Sequence, residues 1–461
     1  MNVAVVHYHA RPGGVTRVVE RAVDSLGENA HCLFFTGEAA RGETPLQKKI
    51  RVVPNLGYST DKKIHSLDLL KRARGAFGGE PDVWHIHNHC LGKNPALTQE
   101  VTTLAMAGQK ILLQIHDFSE DGRPDNYSNL GKLKKRLYPI APHIHYAALN
   151  QRDFSFLKTA GIPEECLHLL PNAIAPLPQT GVRSQRSGVR APLFVYPCRA
   201  IRRKNIGELL LWSAAMPEAR FAVTLAPKNP EVKPIYDAWV ACAEELGLNV
   251  EFDAGAKTPF HEMIAQADAL ITTSIAEGFG LAFLEPWLAG KPLVGRNLPE
   301  ITGDFEEHGL DLSNLYNRLP VPLAWLDEMQ FFQTLEKKMR ASCEAYGRPW
   351  SAAVLEEARA AMVQKGMVDF GILDEELQRT VIRKVKDNPS LMDTVLENST
   401  DAVENNRKVV ETAYCPKAYG ERLLSIYQKL AGEPSGTVDY ADGGRILDAF
   451  LEPKRFNLLR T

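Results

Sequence analysis

The chain has 461 residues, a formal net charge of −2, 44% hydrophobic residues and 24% charged ones. That balance describes a globular protein with room for two cores, and the near-zero charge argues against wholesale nucleic-acid binding. No apolar run is long enough to span a bilayer, and residues 1–6 lack the flanks of a signal peptide, so the expected location is the cytoplasm. Seven cysteines, odd in number, widely spaced and without a Cys-x-x-Cys pair, support neither a disulfide framework nor a zinc site.

The first part alternates strand-like and helix-like runs: Val3 to Tyr8, Gly14 to Leu26, His31 to Phe35, Ile50 to Val53, Ile64 to Phe77, Val83 to His87, Pro95 to Ala107, Ile111 to His116, and His143 to Leu149. Such alternation predicts a parallel sheet covered on both faces, with ligands at the carboxyl ends of its strands. Three polar signals fall at strand ends: Gly13-Gly14, His87-Asn88-His89 and His116-Asp117. One shared rim is the economical reading. The glycine pair lets backbone N–H groups approach a phosphate or sugar, although such a pair is more often only a turn. His85, His87 and His89 have a spacing that suggests metal, but no carboxylate or cysteine cluster completes a site and no Asp-x-Asp motif occurs. No metal and no cofactor are expected. The loop Phe118 to Tyr127, with Arg123, Asp125, Asn126 and Tyr127, either grips a polar acceptor or is a plain exposed loop. Lys132-Leu133-Lys134-Lys135-Arg136 is the densest basic cluster of this part. It has three readings, namely weak peripheral contact with anionic lipid, an anionic acceptor, or a solvated helix face, and the last is favoured.

Residues 173–192, rich in proline, glycine and serine, read as an interdomain linker. A second alternating unit follows through Leu193 to Pro197, Ile206 to Ala215, Phe221 to Leu225, Pro234 to Leu246, Val250 to Phe252, Phe260 to Ala267, Ala269 to Thr273 and Leu281 to Ala289. Arg199 and Lys204 stand at its first strand-to-helix junction. There a guanidinium fork and an ammonium would neutralise a diphosphate leaving group, whereas Arg202 and Arg203 better fit a solvated basic loop. Glu277-Gly278-Phe279-Gly280-Leu281-Ala282-Phe283-Leu284-Glu285 sets two carboxylates around a glycine turn ahead of a predicted helix. Carboxylates accept paired hydrogen bonds from diols, and a helix start accepts phosphate, so a nucleotide sugar would satisfy both features. A solvated strand-loop-helix unit is the competing reading of the motif alone. From about residue 323 to 408 the chain is helix-rich and charged, and Ala418 to Leu430 is a further amphipathic run.

The Arg199 and Lys204 pair, the Glu277 to Glu285 motif, Gly13-Gly14, His116-Asp117 and Pro171-Asn172 fall in an order that resembles the retaining glycosyltransferases of family 4. The resemblance covers roughly residues 1–302 and implies the α/β GT-B fold, two Rossmann-like domains facing a cleft, with a helical C-terminal extension. It implies an N-terminal acceptor domain over 1–172, a linker over 173–192, and a nucleotide-sugar domain over 193–413 with a helical insertion at about 323–408. Residues 414–461 would then carry the terminal helix back toward the N-terminal domain, with Tyr414 to Leu430 as that helix. Catalysis falls to Arg199, Lys204, Glu277 and His116. Donor contact falls to Gly13, Gly14, Asn172, Gly278, Phe279, Gly280, Leu281 and, at the ribose, Glu285. Acceptor contact falls to Asp117, His87, Asn88, Arg123 and Tyr127. The expected reaction moves a hexosyl group, with UDP-glucose as the default donor, to an acceptor hydroxyl, a small soluble acceptor being preferred over lipid. A same-face substitution, in which a donor phosphate oxygen takes the acceptor proton, is the implied mechanism. The alternatives are a GT-B epimerase or hydrolase, which needs further acid or base carboxylates, and a catalytically silent sugar-nucleotide sensor. Oligomeric state is unassigned.

Overall fold

The computed structural model describes residues 1–59, 61, 63–175, 191–392, 396 and 399–460, so most of the expected linker, at 176–190, lies outside the described residues. The chain divides into two compact units. The first comprises residues 1–175, 345–348 and 414–452; the second takes in 191–344, 349–413 and 453–460.

In the first unit the strands are β1 (Asn2–His7), β2 (His31–Thr36), β3 (Ile50–Val52), β4 (Val83–His87), β5 (Ile111–Ile115), β6 (Pro139–Ile140), β7 (Ile144–Ala148) and β8 (Leu167–Leu169). Seven of them form one parallel sheet in the order β3-β2-β1-β4-β5-β7-β8, and β6 pairs antiparallel with Asp439–Tyr440. Alternate residues of β1 feed opposite cores. Ala4 and Val6 join Leu33, Trp84 and Leu113, whereas Val3 and Val5 join Val19, Phe34 and Leu423. A sheet buried on both faces explains why its strands read as continuous apolar runs rather than alternating ones. The helices are α1 (Gly14–Leu26), α2 (Leu69–Phe77), α3 (Pro95–Met106), α4 (Pro124–Asn129) and α5 (Gln151–Thr159). The helix Pro416–Gly432 packs on α1 through the core that holds Val3 and Val5, burying Tyr419, Leu423 and Tyr427. The helix expected from Ile64 begins only at Leu69, because Asp68 takes a left-handed turn at φ 49°.

The second unit contains β9 (Leu193–Arg199), β10 (Arg220–Leu225), β11 (Val250–Glu251), β12 (Ala269–Thr272), β13 (Leu293–Arg296) and β14 (Leu315–Tyr316), parallel in the order β11-β10-β9-β12-β13-β14. Its helices include α6 (Ile206–Ala215), α7 (Lys233–Glu245), α8 (Phe260–Gln266), α9 (Glu285–Leu288) and α10 (Pro299–Glu307). The continuous helix expected over Leu281 to Ala289 is not formed. Gly280, at φ 93°, opens a single 3-10 turn over Leu281–Phe283, and a four-residue helix starts afresh at Glu285. Pro286 supplies the reason: it has no N–H to give a preceding turn, and its ring would meet the carbonyl four residues back. Within the helix-rich stretch after residue 323, Met367–Asp369 and Val363–Gln364 form a hairpin that pairs with the preceding Pro320–Pro322 in a small antiparallel sheet. Its hairpin turns at Lys365 and Gly366, whose φ values of 53° and 73° give the turn that matches strand twist. The helix Glu375–Asp387 packs on α6, placing Val381 and Ile382 in one core with Leu209 and Trp212.

Both sheets reverse their strand order beside the first strand. β1 lies between β2 and β4, and β9 between β10 and β12, so each unit opens a crevice at the carboxyl ends of those strands.

Candidate active site

The crevice of the first unit is lined by imidazoles. His87 Nδ1 lies 2.9 Å from His116 Nε2, and the two rings stack with centroids 5.2 Å apart. His7 stands edge-on to His87 at 6.4 Å and to His9 at 5.0 Å. Burial lowers the pKa of His116 to about 3, and it drives His87 and His7 well below the ordinary histidine value, helped by neighbouring imidazoles. These rings are therefore neutral at pH 7, and a neutral imidazole can donate from one nitrogen while accepting at the other. His87 Nε2 and His7 Nδ1 are buried with no protein hydrogen-bond partner among the described residues.

Asn88 sits in the left-handed region at φ 57° and accepts at its side-chain oxygen from the backbone N–H of His116 at 2.7 Å and of Asp117 at 3.1 Å. Its side chain thus fixes the turn that presents His116 and Asp117. The Asp117 carboxylate accepts from Arg123 Nη2 at 2.6 Å, while Arg123 Nη1 donates to the carbonyls of Phe118 and Asp121. The backbone N–H of Arg123 donates to the Tyr346 hydroxyl, and the Tyr127 ring packs against Tyr346 at 5.4 Å. The loop Phe118 to Tyr127 is accordingly a braced structure. Behind it Glu120 is buried, accepts from Ser119 and Tyr138, and has its pKa pushed up by that burial to about 7.

Gly13 caps α1 with extended backbone and no side-chain hydrogen bond, and no protein atom lies within 4 Å of where a Cβ on Gly14 would stand. The first N–H groups of α1 therefore border open space. Asn172, also of this unit, has its side-chain oxygen buried without a hydrogen-bond partner among the described residues.

In the second unit the cationic and acidic motifs meet. Lys204 makes an ion pair with Glu277, the two side chains being 13% and 9% exposed. Ser274 Oγ donates to the same carboxylate at 2.7 Å. Burial pushes the Glu277 carboxyl up, but Lys204, Arg203 and the hydrogen bonds from Lys204 and Ser274 outweigh it and hold the pKa below the usual glutamate value. The loop after β12 is laced to the loop after β9: Thr273 Oγ1 donates to the carbonyls of Lys204 and Asn205, and the Ile275 N–H to that of Arg203. Arg199 ends β9 and donates from Nη1 to the Ala226 carbonyl at 2.8 Å. Arg202, read from sequence as solvated, instead pairs with Glu375 at 2.6 Å. Phe279 is buried edge-on to Phe305 at 5.6 Å, a Cβ on Gly280 would press on Ile301 and Phe283, and half-buried Glu285 opens α9 beyond the half-buried Leu281 and Gly278.

Sequence reasoning missed several supports. Asn205, left-handed at φ 49°, donates to Glu208 and accepts from Gln378. Arg296 is buried between Glu208 and Asp369, and Tyr316 donates to Glu208 at 2.8 Å. Tyr346, His7 and His9 complete the first rim. Only the two histidines carried a signal, at the end of a strand that opens on Gly13-Gly14. Among the described residues no group of three or more His, Cys, Asp or Glu side chains is arranged to hold a metal ion, and no helix is long and apolar enough to cross a membrane.

No protein-family model matches the chain. It is 27% identical over 480 residues to the mannosylglucosyl-3-phosphoglycerate synthase of Petrotoga mobilis, covering 93% of this chain and 91% of that protein. Among solved structures, it resembles Anabaena Alr3699/HepE in complex with UDP and glucose, with a TM-score of 0.54 at 14% identity over 92% of this chain and 98% of the other. It also resembles a glycosyltransferase from Rickettsia africae, with a TM-score of 0.50 at 13% identity over 94% and 98%. At these identities the two structures show the fold, and the chain carries two Rossmann-like α/β units of the GT-B class.

Proposed function

We propose that this protein is a glycosyltransferase that moves a hexosyl group from a nucleotide diphosphate sugar to the hydroxyl of a small soluble acceptor, with retention at the anomeric carbon. The observation that carries this reading is the pairing of Lys204 with Glu277 beside Arg199 at the switch point of the second sheet. A buried ammonium and a sugar-orienting carboxylate on adjoining loops are what transfer from a diphosphate leaving group requires. Arg199 and Lys204 stabilise the departing diphosphate. Glu277 orients the sugar hydroxyls and Glu285 holds the ribose. The N–H groups at Gly14 face the diphosphate. Neutral His116 contacts the reacting sugar, Asp117 orients the acceptor, and a donor phosphate oxygen takes the acceptor proton in a same-face substitution. The two cations do the electrostatic work that a divalent metal does elsewhere, so the reaction runs without one.

UDP-glucose is the first donor to test, and the neighbour solved with UDP and glucose supports it. A mannosyl nucleotide is the second, favoured by the name of the Petrotoga mobilis relative. The deciding experiment incubates the protein with each nucleotide sugar, with and without acceptors, and follows nucleotide release and the anomeric configuration of the product by NMR. Acceptor-dependent release with retained configuration is expected. Acceptor-independent release would mark a hydrolase, isomerised sugar nucleotide an epimerase, and binding without turnover a sensor.

A further inference from the structure

The first unit contains a basic groove that the donor chemistry leaves unused. Its volume is about 1290 Å³, and among the described residues its walls include Lys93, Lys132, Lys135 and Arg136 against a single carboxylate, Asp125. The four cations come from two segments. Lys132, Lys135 and Arg136 ride on the 3-10 turn Gly131–Arg136, where residues three apart eclipse, so Lys132 and Lys135 share a face. Leu133 anchors that turn in the protein, and Lys134 turns aside to lie over the Tyr127 ring at 4.1 Å. Lys93 comes from the loop after β4, and its ammonium lies 5.8 Å from the centre of the Tyr58 ring. Among the described residues none of the four makes an ion pair.

The groove is built rather than incidental. Gly92 has φ 71°, and a Cβ there would stand 2.1 Å from the Asn126 carbonyl oxygen, while Asn129 Nδ2 donates to the Gly92 carbonyl at 2.8 Å. The loop carrying Lys93 is thereby clamped to the segment leading into the basic turn. Tyr58 connects the groove to the histidine rim. It lines the groove, meets His9 edge-on at 4.9 Å, and feels the charges of Asp117, Arg11 and Arg123.

We infer that this groove binds a small molecule carrying a phosphate or carboxylate, which, resting on the glycosyltransferase reading, is the acceptor held with its hydroxyl toward Asp117. Four cations lining one concavity set up a field that selects an anion, and Lys and Arg together suit phosphate. The volume exceeds the ~300–1,000 Å³ of an ordinary ligand pocket, which leaves room for a sugar body behind the anionic group. A bilayer presents a flat surface and cannot enter a concave groove, which favours a soluble anion over a headgroup.

The test uses the full chain and measures binding of glucose 6-phosphate, of glucose, and of phosphatidylcholine vesicles with and without phosphatidylserine. The proteins compared are wild type, Lys132→Glu/Lys135→Glu and Lys93→Gln. Calorimetry should show salt-sensitive binding of glucose 6-phosphate but not glucose, weakened by about tenfold or more in each variant through lost charge-assisted contacts. Affinity for UDP should stay unchanged in the same variants. Equal affinity of wild type and variants for glucose 6-phosphate, or charge-dependent binding to anionic vesicles alone, would overturn the assignment. Anion binding that persists in a protein inactive with every nucleotide sugar would sink the transferase reading and leave the groove assignment standing.

Discussion

Lys204 and Arg199 are both assigned to the leaving diphosphate, yet the structure places them in different electrostatic settings, and that difference can be measured. Lys204 is buried against Glu277, so Lys204→Ala leaves a desolvated carboxylate whose remaining support is Ser274 and the charge of Arg203. Breaking a buried pair from one side typically costs about 3–5 kcal/mol, and the surviving hydrogen bond puts this case near the lower end, about 3 kcal/mol. Arg199→Ala loses one hydrogen bond from a half-exposed guanidinium, with an expected cost of about 1 kcal/mol. The pH dependence separates them further. In the wild type the depressed Glu277 pKa contributes stability that is present above the unfolded glutamate pKa and is lost as pH falls. Without Lys204 that depression shrinks, so the stability deficit of Lys204→Ala should be largest at neutral pH and narrow as pH falls below about 4.3. Adding Glu277→Gln removes the stranded charge and should restore about 2 kcal/mol, a coupling that a double-mutant cycle reads directly. Urea unfolding followed by tryptophan fluorescence suits this test, because Trp212, Trp239, Trp287, Trp325 and Trp350 all belong to the second unit. Both single mutants should lose ~10²-fold or more in turnover, the effect of removing one preorganised charge. A Lys204→Ala protein as stable as wild type, or a double mutant no more stable than that single mutant, would refute the buried-pair reasoning. Near-wild-type turnover would refute the leaving-group role.

Gly14→Ala should leave stability unchanged or raised by up to ~1 kcal/mol, since the Cβ enters open space at a helix start, while donor affinity measured by calorimetry falls. Activity should persist in excess chelator; complete loss with EDTA, restored by magnesium or manganese, would show the two cations to be insufficient. Glu285→Gln should weaken nucleotide diphosphate and intact donor alike, whereas Glu277→Gln should weaken only the sugar-bearing donor, because it also frees Lys204 for the diphosphate; equal losses for both ligands would void the separate roles. Glu120→Gln keeps an acceptor for Tyr138 and removes a carboxyl whose folded pKa of about 7 makes wild-type stability fall as pH rises from about 4.5 to 7, so the variant should gain thermal stability over wild type toward neutral pH.

Strand and helix placement were legible wherever a segment buries a regular face. α1 spans Gly14–Leu26 as its periodicity predicts, and the apolar runs at Val83 and Ile111 became central strands. Legibility failed where one residue overrides a pattern. Pro286 interrupts the apolar run from Leu281, and Asp68 delays the helix that the pattern would start at Ile64. The small hairpin at Lys365-Gly366 escaped because its strands are two and three residues long, too short for a period of two to register.

The polar supports were hidden for a different reason. No local pattern in the sequence singles out Glu208 or Asp369, yet each is buried, and Arg296 comes from a third element to neutralise both. Charge pairing across 73 to 88 residues leaves no trace in local composition. The same holds for Asn88, whose place between His87 and His89 at a strand end suggests a ligand contact. Its side chain serves the backbone of His116 and Asp117 first, so whatever reaches this rim is received by a turn that Asn88 has already shaped. A candidate functional residue can therefore be proposed from its position at a strand end, but the division of labour between contacting and positioning residues depends on hydrogen bonds that only the folded chain defines.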